Sequence, residues 1–354
     1  MTKLARPLAF VLMTATMTTG SAVFAQDTLR LTVGQRGLWD TSISDVGQRA
    51  GIFKKHGVTL EILYTQGSGE TQQAVFAGSV DIGVSVGVMG ALAGYSKGAP
   101  VRIIGNEITG AGDVYWYVKS DSPVKTIKDF DGKTIAFSTI GASTHGVVTA
   151  FIKQYGLTAA KPTQTGGPAP TLTAVMSGQV DVGWAAPPFG LDQLDRKEIR
   201  QIATGNDTIF KDQTVRLVIT HQQTLQNRKD AIVRYMRAYR ETIDWMYSDP
   251  AALKTYAEFA GITEAKAKRI RDDYFPKSVL SPDKIVGVDL IMPEAFGDVI
   301  EIEGIGIRLI REGRAMPDNK YSTPIMSEEA VFANENSTAD HYVQSLPARS
   351  LPYF

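Results

Sequence analysis

Ala74-Val-Phe-Ala-Gly-Ser-Val-Asp-Ile-Gly83 returns as Ala174-Val-Met-Ser-Gly-Gln-Val-Asp-Val-Gly183, one hundred residues later and identical at six of ten positions. Each copy reads as a helix stopped by a glycine C-cap and linked at once to a buried strand. The spacing is too long for a solenoid repeat. Two copies in one chain therefore predict two similar α/β lobes.

The flanking sequence repeats the same grammar. Around the first copy, Leu29–Val33 alternates as a strand, Gly34–Gly37 is a loop, and a helical stretch to Lys55 closes at Gly57. Val58–Leu63 is a second strand before the turn Gln66–Gly69; a helix from Thr71 to Ala77 then leads to the strand Val80–Val84, and Val101–Ile104 is one more. Around the second copy, Lys133–Phe137 is a strand, Ser138–Ser143 a loop, and Thr144–Tyr155 a helix stopped by Gly156. Strands alternating with short helices predict βαβ units. The extended runs Asp113–Val118 and Thr214–Thr220 are expected to be paired crossovers between the lobes. Ile232, Met236, Tyr239, Ile243 and Met246 recur at helical spacing up to Asp249-Pro250, and after Glu303 the periodicity fades.

Composition narrows the function classes. The chain has 354 residues, enough for about two domains, and Lys+Arg 37 balances Asp+Glu 37. No basic excess exists to neutralise a phosphate backbone, so no nucleic-acid partner is expected. The absence of cysteine removes thiol nucleophiles, Cys-ligated metals and disulfides. Four histidines without a close pair argue against a histidine metal site. Residues 1–25 read as a secretory signal: Lys3 and Arg6, the apolar run from Leu8, then Val23 and Ala25 before a cut ahead of Gln26. Export to a periplasm is the expectation.

Several further pieces carry a resemblance. They are Ala50-Gly-Ile-Phe-Lys-Lys-His-Gly57, Ala77-Gly-Ser-Val-Asp-Ile-Gly83, Ile127-Lys-Asp-Phe-Asp-Gly-Lys133, Gly141-Ala-Ser-Thr144, Val180-Asp-Val-Gly-Trp184 and Trp245-Met-Tyr-Ser-Asp-Pro250. In this order and spacing the chain resembles the periplasmic substrate-binding proteins of ABC importers, in the taurine, aliphatic-sulfonate and nitrate group. The resemblance implies an α/β type II periplasmic-binding-protein fold, two lobes joined by two crossovers with a ligand cleft between. The expected division is a signal peptide at 1–25, the first lobe at 26–113 and 217–303, the second at 114–216, and a tail at 304–354 without a role. It further implies a small-molecule ligand, an ABC permease and its ATPase as partners, a monomer, and no cofactor or metal.

Candidate ligand residues lie where strands end, at the edge that forms clefts in α/β sheets. They are Trp39, Ser85, Asn106, Glu107 and Trp184, with Tyr115 and Phe189 as further aromatic walls and Arg216 near the hinge. Glu107 and Arg216 serve equally well as a structural ion pair. Ser143, Thr144 and His145 open a helix whose free amides form an anion cradle, unless the two hydroxyls simply cap it. Gly83-Val-Ser85-Val-Gly87 also matches the nucleophile elbow of serine hydrolases, with His341 downstream. The second copy of the repeat lacks that serine, so an esterase is the lesser reading. Gly67–Gly69 resembles a phosphate loop, but no Lys-Ser/Thr follows. Aromatic walls beside an anion cradle predict a sulfonate or carboxylate with an apolar body; a neutral pyrimidine such as a thiamine precursor is the alternative.

Overall fold

The computed structural model describes residues 26–280, together with the backbone of the hairpin Asp298–Glu303 and Gly306–Arg311. The expected signal peptide and nearly all of the expected tail lie outside the described residues. The strands are β1 (Asp27–Gly34), β2 (Val58–Thr65), β3 (Ile82–Gly87), β4 (Val101–Thr109), β5 (Tyr115–Lys119), β6 (Thr134–Phe137), β7 (Lys161–Gln164), β8 (Gly183–Ala185), β9 (Ile199–Thr204) and β10 (Thr214–His221). The helices before the second sheet are α1 (Ile43–Arg49), α2 (Ile52–Lys55), α3 (Ser68–Phe76) and α4 (Val88–Ser96). Then come α5 (Ser143–Tyr155), α6 (Pro168–Met176) and α7 (Leu191–Asp195). The chain returns through α8 (Gln222–Asn227), α9 (Lys229–Ser248), α10 (Pro250–Ala260) and α11 (Glu264–Tyr274).

The first sheet runs β2-β1-β3-β10-β4, with β1 parallel to both neighbours and β10 antiparallel to β3 and β4. In the second lobe, β6 and β7 are parallel and β8-β5-β9 antiparallel. A parallel bridge from Ile135 to Val182 joins the two groups. The order is therefore β7-β6-β8-β5-β9, strand for strand the pattern of the first sheet. This is the two-lobed α/β architecture expected from the repeat.

Register explains why the repeat is written so strictly. Gly78 (φ 66°) and Gly178 (φ 78°) end α3 and α6 in the left-handed conformation that glycine adopts without a Cβ clash. Ser79 and Gln179 then return their amides to the carbonyls of Ala74 and Ala174 at 3.0 and 2.9 Å. Asp81 accepts the Arg30 amide at 2.8 Å, and Asp181 accepts the Thr134 amide at 2.9 Å, each tying the link to the neighbouring strand. The kinship runs further back than the sequence identity suggested: Thr65 and Thr71 share a hydroxyl hydrogen bond at 2.7 Å, and Thr165 and Thr171 share one at 2.6 Å.

The extended runs taken for paired crossovers are strands in different sheets. Most of Asp113–Val118 is β5, an interior strand of the second lobe, and Thr214–Thr220 lies in β10, an interior strand of the first. Both are too apolar and too fully buried to be exposed links. The crossings fall instead at residues 110–114 and 205–213. They are laced by Gly110 N–H to Gln213 O (2.8 Å), Gly205 N–H to Val114 O (3.0 Å) and Ala111 N–H to the Asn206 side chain (2.8 Å). On the outer side, α9 buries Ile232, Tyr235, Met236, Tyr239, Ile243 and Met246 along one stripe. Asp249 caps α10, its carboxylate accepting the Ala251 amide at 2.9 Å beside Pro250 at the first helical position.

Candidate functional site

Two helices point their N-termini at one small cavity from opposite lobes. Gly67 and Ser68 begin α3, Ala142 to Thr144 begin α5, and all five line a space of about 30 Å³ with Gln35, Ser85, Ser138, Trp184 and Arg216. Neither N-cap residue, Gly67 or Ala142, has a side chain that can cap its helix. The opening amides of α5 are thus left without a capping side chain, which corrects the alternative that Ser143 or Thr144 simply caps the helix. Thr144 holds the loop instead; its hydroxyl accepts the Ser138 amide at 3.0 Å and pairs with the Ser138 hydroxyl at 2.8 Å. Ser68 Oγ and Trp184 Nε1 are buried without a hydrogen-bond partner. Helix N-termini carry partial positive charge, so this arrangement suits an anion.

Across the cavity the lobes already touch. The Gly69 amide donates to Thr139 Oγ1 at 2.9 Å. A methyl group on Gly87 would stand 2.4 Å from the Gly141 carbonyl oxygen, and one on Gly69 would stand 2.7 Å from that of Ile140. Small residues at these points let the two lobes close over the cavity. Ser85 takes φ 63°, a left-handed conformation rare for a residue with a side chain, inside β3 where its pairing with β10 shifts register.

Behind Ser85 lies a buried charge cluster. Arg216 bonds Asp113 Oδ2 at 2.6 Å and stands 3.2 Å from Asp40 Oδ2, with all three side chains almost wholly excluded from solvent. Glu107 adds a third carboxyl. Its pKa is raised well above the usual carboxylate value, first by burial and then by the charge of Asp40. The Arg216 charge and a hydrogen bond from the Ser85 backbone pull the other way. A neutral, protonated Glu107 relieves the repulsion with Asp40. Burial also raises Asp113, to about 6, against the pull of Arg216. Arg216 is therefore paired internally, and the polar lining of the cavity beside it is made by amides, hydroxyls and an indole N–H.

Of the residues expected at the site, Ser85, Ser143, Thr144, Trp184 and Arg216 line the cavity. Glu107 stands behind it. Trp39 does not line it: its Nε1 donates to Tyr247 Oη at 3.0 Å and its ring meets Tyr256 edge-on at 4.8 Å, in the first lobe's core. The preceding loop turns at Gln35 (φ 65°) and Gly37 (φ 97°), which sends Trp39 inward. Asn106 is buried in β4 and donates to Thr109 Oγ1 at 3.1 Å. His145 stacks on Phe137 at 4.7 Å, and burial lowers its pKa, which keeps the ring neutral. Tyr115 is buried, donating its hydroxyl proton to the Phe189 carbonyl at 2.7 Å. His341, which the esterase reading required, lies outside the described residues. Ser68, Gln35 and Ser138 were not anticipated. The signal for Ser68 was present in Gly67-Ser-Gly69 ahead of a helix.

Known proteins place this architecture. The family described as "NMT1/THI5 like" matches residues 45–253, and the chain belongs to it. The alkanesulfonate-binding protein SsuA from Xanthomonas axonopodis pv. citri, solved bound to MOPS, superposes with a TM-score of 0.60 at 20% identity, over 68% of this chain and 83% of that one. The periplasmic nitrate-binding protein NrtA from Synechocystis PCC 6803 superposes at 0.55 with 15% identity, over 68% of each chain. These likenesses establish the periplasmic-binding-protein fold. The 4-amino-5-hydroxymethyl-2-methylpyrimidine phosphate synthase of Aspergillus parasiticus is 22% identical over 223 residues, 58% of this chain. The chain spans 63% of that curated relative's length.

Proposed function

We propose that this protein is an exported solute-binding protein that closes its lobes over a small organic anion, a sulfonate or carboxylate, and hands it to an ABC permease in the periplasm. The observation that carries this reading is the convergence of α3 and α5 on one cavity where Ser68 Oγ and Trp184 Nε1 are buried without partners. Space of about 30 Å³ equals that of two or three waters, which suits a compact oxyanion head. Hinge bending at residues 110–114 and 205–213 opens and closes the cleft, and no covalent step is involved. The signal-like residues 1–25 and the fold support export.

Isothermal titration with methanesulfonate, acetate and nitrate tests the reading. Micromolar binding, about 8 kcal/mol, of at least one oxyanion is expected. Silence towards all three refutes it, and ester turnover abolished by Ser85→Ala replaces it with the hydrolase. A second reading, a neutral aminopyrimidine ligand, is favoured by the pyrimidine-synthase relative and by the internal neutralisation of Arg216.

A further inference from the structure

Three carboxyl groups surround one guanidinium in the interior of the first lobe. Arg216 bonds Asp113 and faces Asp40, and Glu107 adds the third carboxyl. All four residues are buried, and three ionised carboxyls against one positive charge are not sustained there. With Glu107 neutral, Arg216 stands against Asp40 and Asp113, which leaves one negative charge in excess. The other titratable groups turned toward the cluster are tyrosines: Tyr235, Tyr239 and Tyr247 from α9 and Tyr256 from α10. Burial pushes each of them above its ordinary pKa, so they stay neutral. From β3, the Ser85 backbone faces Glu107.

The cluster adjoins both the hinge and the cavity. Asp113 belongs to the first crossing, 110–114, and Arg216 follows the second, 205–213, near the start of β10. Arg216 also lines the small cavity with Ser68, Ser85 and Trp184. An anion held there would bring a second excess negative charge into an interior of low dielectric. The cost is removed when a carboxylate of the cluster takes up a proton. Asp113 suits that role, because burial already raises its pKa to about 6. A protonated Asp113 leaves Arg216 facing Asp40 and the ligand, so the excess charge is the same before and after binding.

We propose that capture of an anion in the small cavity draws one proton from solvent onto the Asp113 carboxylate, so that ligand and proton are loaded together beside the hinge. The ligand's charge takes the place of Asp113's as a counter-ion of Arg216. Affinity therefore rises as pH falls towards about 6. The proposal rests on the anionic reading of the cavity, since a neutral ligand brings no charge to compensate.

Methanesulfonate, nitrate and acetate all stay ionised between about pH 6 and 8, and the tightest binder of the three serves as the probe. Added to weakly buffered protein at about pH 6.5, it should consume about half a proton or more per molecule bound, read with a pH electrode. In calorimetric titration its dissociation constant should fall about fivefold or more from about pH 8 to about pH 6. Asp113→Asn should abolish the uptake and flatten the pH dependence. Glu107→Gln, and His145→Gln at the start of α5, should keep both. Binding without proton uptake overturns the proposal and leaves the anionic reading standing. Uptake that survives Asp113→Asn, or is lost in either other variant, does the same. If Asp113→Asn does not fold, the other two variants decide: uptake kept in both supports Asp113, and uptake lost in either overturns it. Silence towards all three anions overturns the anionic reading and the proposal together.

Discussion

Ser68→Ala separates a ligand-binding hydroxyl from a structural one. Ser68 opens α3, is 5% exposed, and its Oγ faces the small cavity with no partner. In the free protein the substitution therefore breaks no hydrogen bond and removes a buried polar atom that nothing satisfies. Stability should hold or rise slightly. In the complex the same hydroxyl would donate to a charged oxygen, a bond worth about 1.5–3 kcal/mol. At about 1.4 kcal/mol per tenfold, the dissociation constant should rise roughly ten- to 150-fold. Trp184→Phe removes the other unpartnered donor and should act in the same direction. The assay is calorimetric titration with methanesulfonate beside a thermal melt of each variant. A lower melting temperature with unchanged affinity would show that Ser68 serves the fold and would remove the support for an oxyanion here.

Gly69→Ala sets a methyl group 2.7 Å from the Ile140 carbonyl oxygen of the other lobe. It should wedge the cleft open, seen as weaker binding and a larger radius of gyration in ligand-saturated scattering, with little change in melting temperature. Glu107 has a raised pKa, so between its unfolded value near 4.5 and its native value the folded state holds a proton that the unfolded chain has released. Stability must then fall as pH rises above about 4.5, and Glu107→Gln should flatten that slope in urea unfolding between pH 5 and 8; equal slopes would show that Glu107 is ionised in the native state. At the cleft mouth α11 meets α7 through Lys266–Asp192 and Arg269–Asp195, at 2.5 and 2.8 Å. Replacing both aspartates by Asn should weaken ligand binding a few-fold at low ionic strength and not at 1 M salt, because exposed pairs are screened; the same loss at both salts would refute an electrostatic latch.

The lobes were legible because their defining joint is written in residues with little freedom. A glycine with positive φ, an aspartate that ties a link to the next strand and an apolar run can be read without knowing the partners. Strand neighbours cannot be read that way. The runs at 113–118 and 214–220 showed extended structure, but nothing in an apolar stretch says which sheet will take it. Trp39 misled for a similar reason, since its direction depends on a turn through Gln35, whose side chain gives no hint of φ 65°. Glu107 was singled out at a strand end and Arg216 near the hinge, each with a structural ion pair as the alternative; Arg216 is in fact ion-paired, and it also lines the cavity. Ser68 was passed over because Gly67–Gly69 was compared with a phosphate loop that needs a lysine. A helix N-terminus binds an anion through its amides, with no lysine required.

The two copies of the repeat have diverged where each helix begins. Ser68 and Glu70 in the first copy stand where the second has Pro168 and Pro170. Proline carries no amide hydrogen, so the second helix has lost donors that the first one keeps. The polar start lines the small cavity and the proline-rich start does not. One duplicated joint has thus become two helix starts of opposite character, one rich in amide donors and one short of them.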